Sequence, residues 1–147
     1  MSRIALIAEA VVLVALVQPA IASDEASTWD RIESIHGDAE GFFEIFSTLQ
    51  NAVTTGDAAT IAEYGLYPLA VNAGDGNYEI VDASDFIDSF DIAFTAETQQ
   101  AVLDQNPDDF IVTSEGVGLG NGAIWLTNVC LDDTCTQTQW GILSINN

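Results

Sequence analysis

The sequence predicts an α+β fold in which N-terminal helices pack on an antiparallel sheet. Apolar residues recur at helical spacing through residues 39–55, whereas residues 116–145 read as three consecutive strands joined by short turns. Most helix signals precede this strand-rich region, which favours helices segregated to one side of an antiparallel sheet. We therefore expect the helices to cover one face of a sheet that the C-terminal strands dominate.

Residues 1–22 have the pattern of a secretory signal peptide. Arg3 precedes a long apolar run, and residues 20–22 form a small-x-small cleavage site. The apolar run is just long enough to span a bilayer, so an uncleaved anchor is the alternative. Cleavage leaves a periplasmic or secreted protein without a membrane anchor. It comprises a tail and short helical lead-in at residues 23–37, then a single α+β domain at residues 38–147.

Acidic residues dominate the charge of the chain. There are 23 Asp and Glu residues against two Lys and Arg, which gives a formal net charge of −21. Such a surface repels phosphate groups, so nucleic acid and anionic membranes are poor partners. The acids are spread along the chain, which is typical of a solvated coat suited to salty surroundings. Complementarity to a basic partner is the alternative interpretation.

Two helices are predicted before the first strand. Asp38 is a suitable N-cap for a helix over residues 39–55, which Gly56 ends. Asp57 caps a shorter helix over residues 58–64. The first helix has an apolar stripe that we interpret as core rather than as a cofactor site, formed by Phe42, Phe46, Leu49 and Val53.

A hairpin and two further helices are expected next. Residues 66–72 and 78–81 have strand character on either side of a Gly- and Asp-rich turn. The turn resembles part of a calcium loop but lacks the closing glutamate, so we interpret it as a plain hairpin turn. The helices and their expected N-caps are residues 85–94 after Ser84 and residues 96–105 after Thr95.

We predict no metal site and no cofactor. His36 is the only histidine, and its position beside Gly37 suggests an exposed residue at the end of an element. The sequence contains no Gly-x-Ser-x-Gly elbow and no phosphate-binding loop. The familiar nucleophile and phosphate-binding motifs therefore give no lead to an activity.

The first turn of the C-terminal sheet is predicted by Asn121-Gly122. A type I′ turn needs positive φ at both central residues, which Asn and Gly tolerate best. The turn should join Gly120 to Ala123 and set Trp125 opposite Gly118. Outward counting from the turn then gives the register of the whole strand pair.

The second connection is flanked by the only two cysteines, Cys130 and Cys135. In an exported protein we expect them to form a disulfide, facing each other across a four-residue loop. Continuing that register sets Trp125 opposite Trp140, with both rings on one face of the sheet.

Both faces of this sheet carry apolar side chains, and the predicted helices can cover only one of them. We therefore expect a homodimer formed partly through the sheet. Between helix and sheet we predict a pocket for a small apolar ligand, because glycines beside the two indoles leave volume unfilled. The alternative is that the helical phenylalanines fill this volume completely. The candidate pocket residues are Tyr67, Trp125, Trp140 and Phe46.

Three segments follow one another in an order that resembles the nuclear transport factor 2-like superfamily. They are the helix at residues 42–53, the Tyr-Pro-Leu segment at residues 67–69 and the Gly-rich strand segment at residues 116–125. The chain is similar in this respect to small exported bacterial proteins of that superfamily. The resemblance implies a cone, in which N-terminal helices lie across a strongly curved antiparallel sheet.

Enzymes of this superfamily, such as ketosteroid isomerase, hold a tyrosine and carboxylic acids deep in the cone, where burial raises a carboxyl pKa. The chain has Tyr64, Tyr67 and Tyr78, but Glu115 is the only acid beside the first strand of the C-terminal sheet. This departure from the family pattern argues against an isomerase-type mechanism.

Two hypotheses of function follow. The first is an exported acidic module that binds a ligand or partner; an acidic inhibitor of a basic secreted enzyme is one version of it. The second is a small-molecule enzyme of the isomerase, dehydratase or hydrolase kind. A carboxyl group in the interior, within about 3 Å of a tyrosine hydroxyl, would favour the enzyme.

Overall fold

The computed structural model describes residues 24–147, with side chains from Thr28 onward; the predicted signal peptide lies outside these residues. The helices are α1 (Asp24–His36), α2 (Ala39–Thr55), α3 (Ala58–Glu63), α4 (Ala83–Asp88), α5 (Phe90–Ala93) and α6 (Ala96–Leu103). The strands are β1 (Gly65–Ala73), β2 (Gly76–Ile80), β3 (Ile111–Val112), β4 (Val117–Leu119), β5 (Ile124–Cys130) and β6 (Thr138–Asn146). Within the described part of the chain, no helix has the length and apolar character needed to cross a bilayer.

The six strands form one open sheet in the order β2-β1-β6-β5-β4-β3. All neighbours are antiparallel except β1 and β6, which run parallel. The α+β prediction is therefore confirmed, with the difference that the sheet is mixed. The last strand, β6, lies between β1 of the first hairpin and β5, and it runs in the same direction as β1.

Helix α2 has the predicted bounds because its end signals are local. The Asp38 carboxylate accepts a hydrogen bond from the Gly41 amide at 2.9 Å, which satisfies one of the unpaired donors of the first turn. Gly56 ends the helix with φ of 68°, in the left-handed region where a residue without Cβ is favoured. The predicted apolar stripe faces the core, with Phe42 and Leu49 fully buried.

Helix α1 is longer than the short lead-in predicted from the sequence, and it is part of the packed domain. Ile32 is fully buried. The Arg31 guanidinium donates to the Val112 carbonyl at 3.0 Å, and the His36 Nε2 lies 2.9 Å from the Thr113 carbonyl. The expectation that His36 is simply exposed is therefore wrong, because α1 runs close enough to β3 for the ring to bond its backbone.

The helical segment after β2 also differs from the prediction. One helix over residues 85–94 was expected, but α4 and α5 are separate, because Ser89 has a non-helical backbone and its hydroxyl bonds the Asp85 carbonyl. The N-cap is Asp82 rather than Ser84, since the Asp82 carboxylate accepts from the Asp85 amide at 3.0 Å. The Thr95 cap of α6 is confirmed.

The first turn of the C-terminal strands has the predicted geometry. Asn121 has φ of 58° and ψ of 34°, Gly122 has φ of 90°, and the Ala123 amide donates to the Gly120 carbonyl. The register is also as predicted, with Gly118 opposite Trp125.

The second connection contains the predicted Cys130–Cys135 disulfide but not the predicted register. Cys130 pairs with Thr138, so the loop is longer than the four residues expected. Trp140 consequently lies opposite Asn128, and Trp125 lies opposite Ser144. The prediction that Trp125 and Trp140 face each other is wrong, because the polypeptide after Cys135 does not enter the strand at once.

This register gives the sheet two different faces. The inner face packs against the helices and consists of Leu69, Val71, Val117, Leu119, Ile124, Leu126, Trp140, Ile142 and Ile145, all of them buried. The outer face carries the alternate residues, among them Leu66, Ile111, Gly118, Trp125, Thr127, Val129, Gly141 and Leu143. The two tryptophans of the C-terminal strands are therefore on opposite faces.

Candidate functional site

Two residues of the predicted pocket, Phe46 and Trp140, lie in one packed aromatic cluster on the inner side. The Phe42 ring lies 5.1 Å from the Trp140 ring and 6.5 Å from the Phe46 ring, measured between centroids. Phe110 fills the remaining side at 4.9 Å from both Phe42 and Phe46. The Trp140 indole donates to the Asp38 carbonyl at 2.9 Å, so its polar tip is satisfied within the protein. The packed aromatic rings of this cluster therefore occupy the volume in which the sequence predicts a ligand pocket.

The other two predicted pocket residues lie elsewhere. Trp125 covers Gly118 as predicted, but on the outer face, where a Cβ on Gly118 would lie 3.3 Å from the indole. The Tyr67 ring covers Gly65, and its hydroxyl donates to the Ala62 carbonyl at 2.8 Å. Burial, together with the negative charge of Asp82, raises the Tyr67 pKa. The structure therefore does not bring the four residues into one pocket.

The core of the described part of the chain is almost entirely apolar. Among the described residues, the polar residues that are buried as a whole are Thr28 and Thr98, and a single carboxylate oxygen, Asp108 Oδ1, is buried without a hydrogen-bond partner. The Tyr67 hydroxyl donates to the backbone carbonyl of Ala62 rather than to a carboxyl group.

Two adjoining clefts form a groove along the exposed side of α2, which we call the α2 groove. One has a volume of about 360 Å³ and lies between the start of α2 and β6; the other, of about 540 Å³, lies between α2 and α1. They share Glu40, Glu44 and Tyr64. The remaining lining residues are Trp29, Asp38, Gly41, Phe43, Ile45, Ser47, Thr48, Thr138, Gln139 and Trp140.

The floor of this groove is aromatic. Trp29 of α1 stacks on Phe43 of α2, with ring centroids 5.2 Å apart and planes inclined by 15°. Trp29 is 40% exposed, so part of the indole is open to solvent. A stack of this kind, with an uncovered ring, offers a ligand a flat π surface.

The rim of the groove is acidic, and two of its glutamates have no partner among the described residues. The carboxylates of Asp38 and Glu33 accept from the amides of Gly41 and Ala39, so they are engaged in capping α2. No residue in the described part of the chain donates a hydrogen bond to the side chain of Glu40 or Glu44. Both glutamates are exposed.

No Lys or Arg within residues 24–147 pairs with this rim. Arg31 is the only Lys or Arg there, and its guanidinium bonds the Val112 carbonyl. The carboxylates of the α2 groove therefore point to an attraction for positive charge. The sequence contained a signal for this surface, because Glu40, Phe43, Glu44 and Ser47 recur at i, i+3, i+4 and i+7 on the face opposite the apolar stripe.

Neither similarity to known proteins nor a set of metal ligands indicates a function for this chain. Comparison of the chain with family models, curated proteins and solved structures finds no match. Among the described residues, no group of three or more His, Cys, Asp or Glu side chains is arranged to hold a metal ion. The α2 groove is the feature from which a function can be argued.

Proposed function

We propose that this protein is an exported acidic binding module of the nuclear transport factor 2-like type, and that its ligand occupies the α2 groove. The order of helices, hairpin, helices and C-terminal strands supports the superfamily resemblance. The disulfide between Cys130 and Cys135 supports export, because such bonds persist in oxidising compartments. The observation that carries the proposal is the exposed Trp29–Phe43 stack beside Glu40 and Glu44, which have no partner within residues 24–147.

The same geometry favours binding over catalysis. Acid–base enzymes of the isomerase type bury their carboxyl groups to tune them for proton transfer. Glu40 and Glu44 are exposed, and the Tyr67 hydroxyl is bonded to the Ala62 carbonyl. An isomerase of this type would need a carboxyl group enclosed in the core, and no Asp or Glu between residues 28 and 147 is buried as a whole residue.

The test is whether protein purified from its own compartment carries a ligand or partner in this groove. Native mass spectrometry of the wild type should show added mass. Ser47→Trp should lose that mass, because a bulky ring at this lining position fills the groove whatever the ligand is.

The matched control is Ser34→Trp, which places the same ring at an exposed position of α1 outside the groove lining. This variant should keep the added mass. Equal loss in both variants, or a wild type without any added mass, would contradict the proposal.

We also propose a homodimer through the outer face of the sheet. The strands β1, β3, β4, β5 and β6 contain no charged residue, although the chain has 23 Asp and Glu residues. Two copies of a chain with net charge −21 repel each other, so they can associate only where carboxylates are not brought together. The apolar outer residues Trp125, Val129 and Leu143 mark that place.

A carboxylate on this face should abolish the association. We expect Leu143→Glu to sediment as a monomer at tens of micromolar protein, where the wild type sediments as a dimer. Leu143 is 42% exposed, so the substitution does not disturb the core. Ile92→Glu, on α5 at 70% exposure, is the control and should remain a dimer. A monomeric wild type in about 0.15 M salt, where repulsion is screened, would reject this interface.

A further inference from the structure

We propose that the α2 groove recognises an arginine side chain presented by a basic protein partner. This inference rests on the proposed binding function and adds the chemistry of the ligand. A guanidinium is planar, permanently charged and weakly hydrated, so it can stack on an aromatic face while its N–H groups donate to carboxylates. The α2 groove supplies both the aromatic face and the carboxylates.

The two kinds of contact come from one stripe of one helix. Glu40, Phe43 and Glu44 all line the cleft between α2 and α1, so the stacked floor and both acids border the same space. Trp29 extends the floor from α1 and leaves part of its ring uncovered. A cation lying on this floor would occupy the same cleft as the carboxylates of Glu40 and Glu44.

The free protein has an unrelieved repulsion at this place. Like charges at i and i+4 on a helix destabilise it, and Glu40 and Glu44 have no partner among the described residues. A bound guanidinium would remove that repulsion and gain charge-assisted hydrogen bonds. Binding and relief of repulsion therefore act in the same direction.

The residues that the structure describes do not supply the cation. Within residues 24–147 the only Lys or Arg is Arg31, and its guanidinium bonds the Val112 carbonyl. A second copy brings another charge of −21, which opposes approach to an acidic rim. A basic partner is instead attracted over long range, because the field of the whole protein steers positive charge toward it.

The test uses two short peptides of the same length, one containing two arginines and the other containing citrulline in their place. Citrulline keeps the planar head group but removes its charge. Calorimetric titration of the mature protein at low salt should show binding of the arginine peptide and at least about tenfold weaker binding of the citrulline peptide.

Two double variants separate the groove from the general acidity. The double variant Glu40→Gln with Glu44→Gln should bind the arginine peptide with an affinity at least about tenfold lower. Glu79→Gln with Glu97→Gln removes the same charge outside the α2 groove and should change affinity by less than about twofold. Trp29→Leu should also weaken binding, while circular dichroism melting shows that each variant is folded.

Three results would overturn this inference. They are equal affinity for both peptides, equal weakening by both double variants, or no binding of the arginine peptide. A neutral ligand found by native mass spectrometry and lost in Ser47→Trp would keep the proposed function while rejecting arginine. The two proposals can therefore fail separately.

Discussion

The two connections of the C-terminal strands are built in different ways. The β4–β5 connection is closed by its own backbone, with Asn121 and Gly122 both at positive φ and a bond from the Ala123 amide to the Gly120 carbonyl. The β5–β6 connection is organised by a side chain. Its Asp132 carboxylate accepts bonds from the amides and hydroxyls of Thr134 and Thr136 and from the amide of Gln137.

This difference explains why one register was predictable and the other was not. Few residues tolerate the conformation of a type I′ turn, so Asn-Gly specifies the pairing directly. A loop organised by an Asp side chain can have several lengths. Its length cannot be predicted until the residues that donate to the Asp are known. The disulfide did not help, because Cys135 is part of the loop rather than the first residue of β6.

The largest expected effect follows from the register of the second connection. Trp140→Ala should lower the free energy of unfolding by about 3–5 kcal/mol, because it leaves a cavity beside Phe42 and removes the bond to the Asp38 carbonyl. Trp125→Ala should cost about 1 kcal/mol, since that ring is only partly buried on the outer face.

Urea denaturation of both variants, at one protein concentration low enough to keep them monomeric, measures the two costs. Similar costs would restore the register in which both indoles share a face. That result would also return Trp125 to the list of pocket residues.

The predictable parts of the fold are those that short segments specify. Asp38 and Gly56 bound α2 correctly, and Phe42 and Phe46 face the core as their spacing predicted. The parallel pairing of β1 with β6 was not predictable, because it depends on where the end of the chain lies in the sheet.

The candidate site shows the same limit. The predicted pocket requires Trp125 and Trp140 to share one face of the sheet, but the observed register of β5 and β6 places them on opposite faces. The α2 groove also depends on Trp29, which reaches Phe43 only because α1 is a full helix packed on the domain. A contact between two helices is a tertiary fact that no local pattern in either one specifies.

The next largest effect is expected from removing the disulfide of the second connection. Replacing both Cys130 and Cys135 by serine should lower stability by about 2 kcal/mol, the value expected when a short loop in the unfolded chain is no longer closed. The register should survive, because the Asp132 bonds remain. Amide hydrogen exchange of β6 in the variant checks this, and loss of protection along the whole strand would show that the disulfide sets the register.

A smaller effect is expected at the first connection. Gly122→Ala should cost about 1 kcal/mol, because a residue with Cβ is strained at φ of 90°. The cost is conformational, since the added Cβ would meet only the Trp125 indole at 3.6 Å. Gly74→Ala is the control, with no atom within 4 Å of the added Cβ, and should be nearly neutral in thermal melting. Equal losses would mean that the turn does not depend on positive φ.

The smallest effect concerns the Asp132 carboxylate and appears as a dependence on pH. Hydrogen bonds from the hydroxyls of Thr134 and Thr136 are the largest cause that lowers the pKa of Asp132 below its ordinary value of 3.8. A carboxyl with a lowered folded-state pKa stabilises the fold fully above its unfolded value, and that contribution is lost as pH falls through the folded value. Asp132→Asn should therefore be less stable than the wild type near neutral pH, and the difference should shrink as the pH falls below about 4.

Asp133→Asn is the neighbouring control, because no described residue donates to its side chain, and it should follow the wild type throughout the titration. If the two variants melt alike at every pH, the charge of Asp132 does not organise this loop, and the second connection must be held by the disulfide and by strand pairing alone.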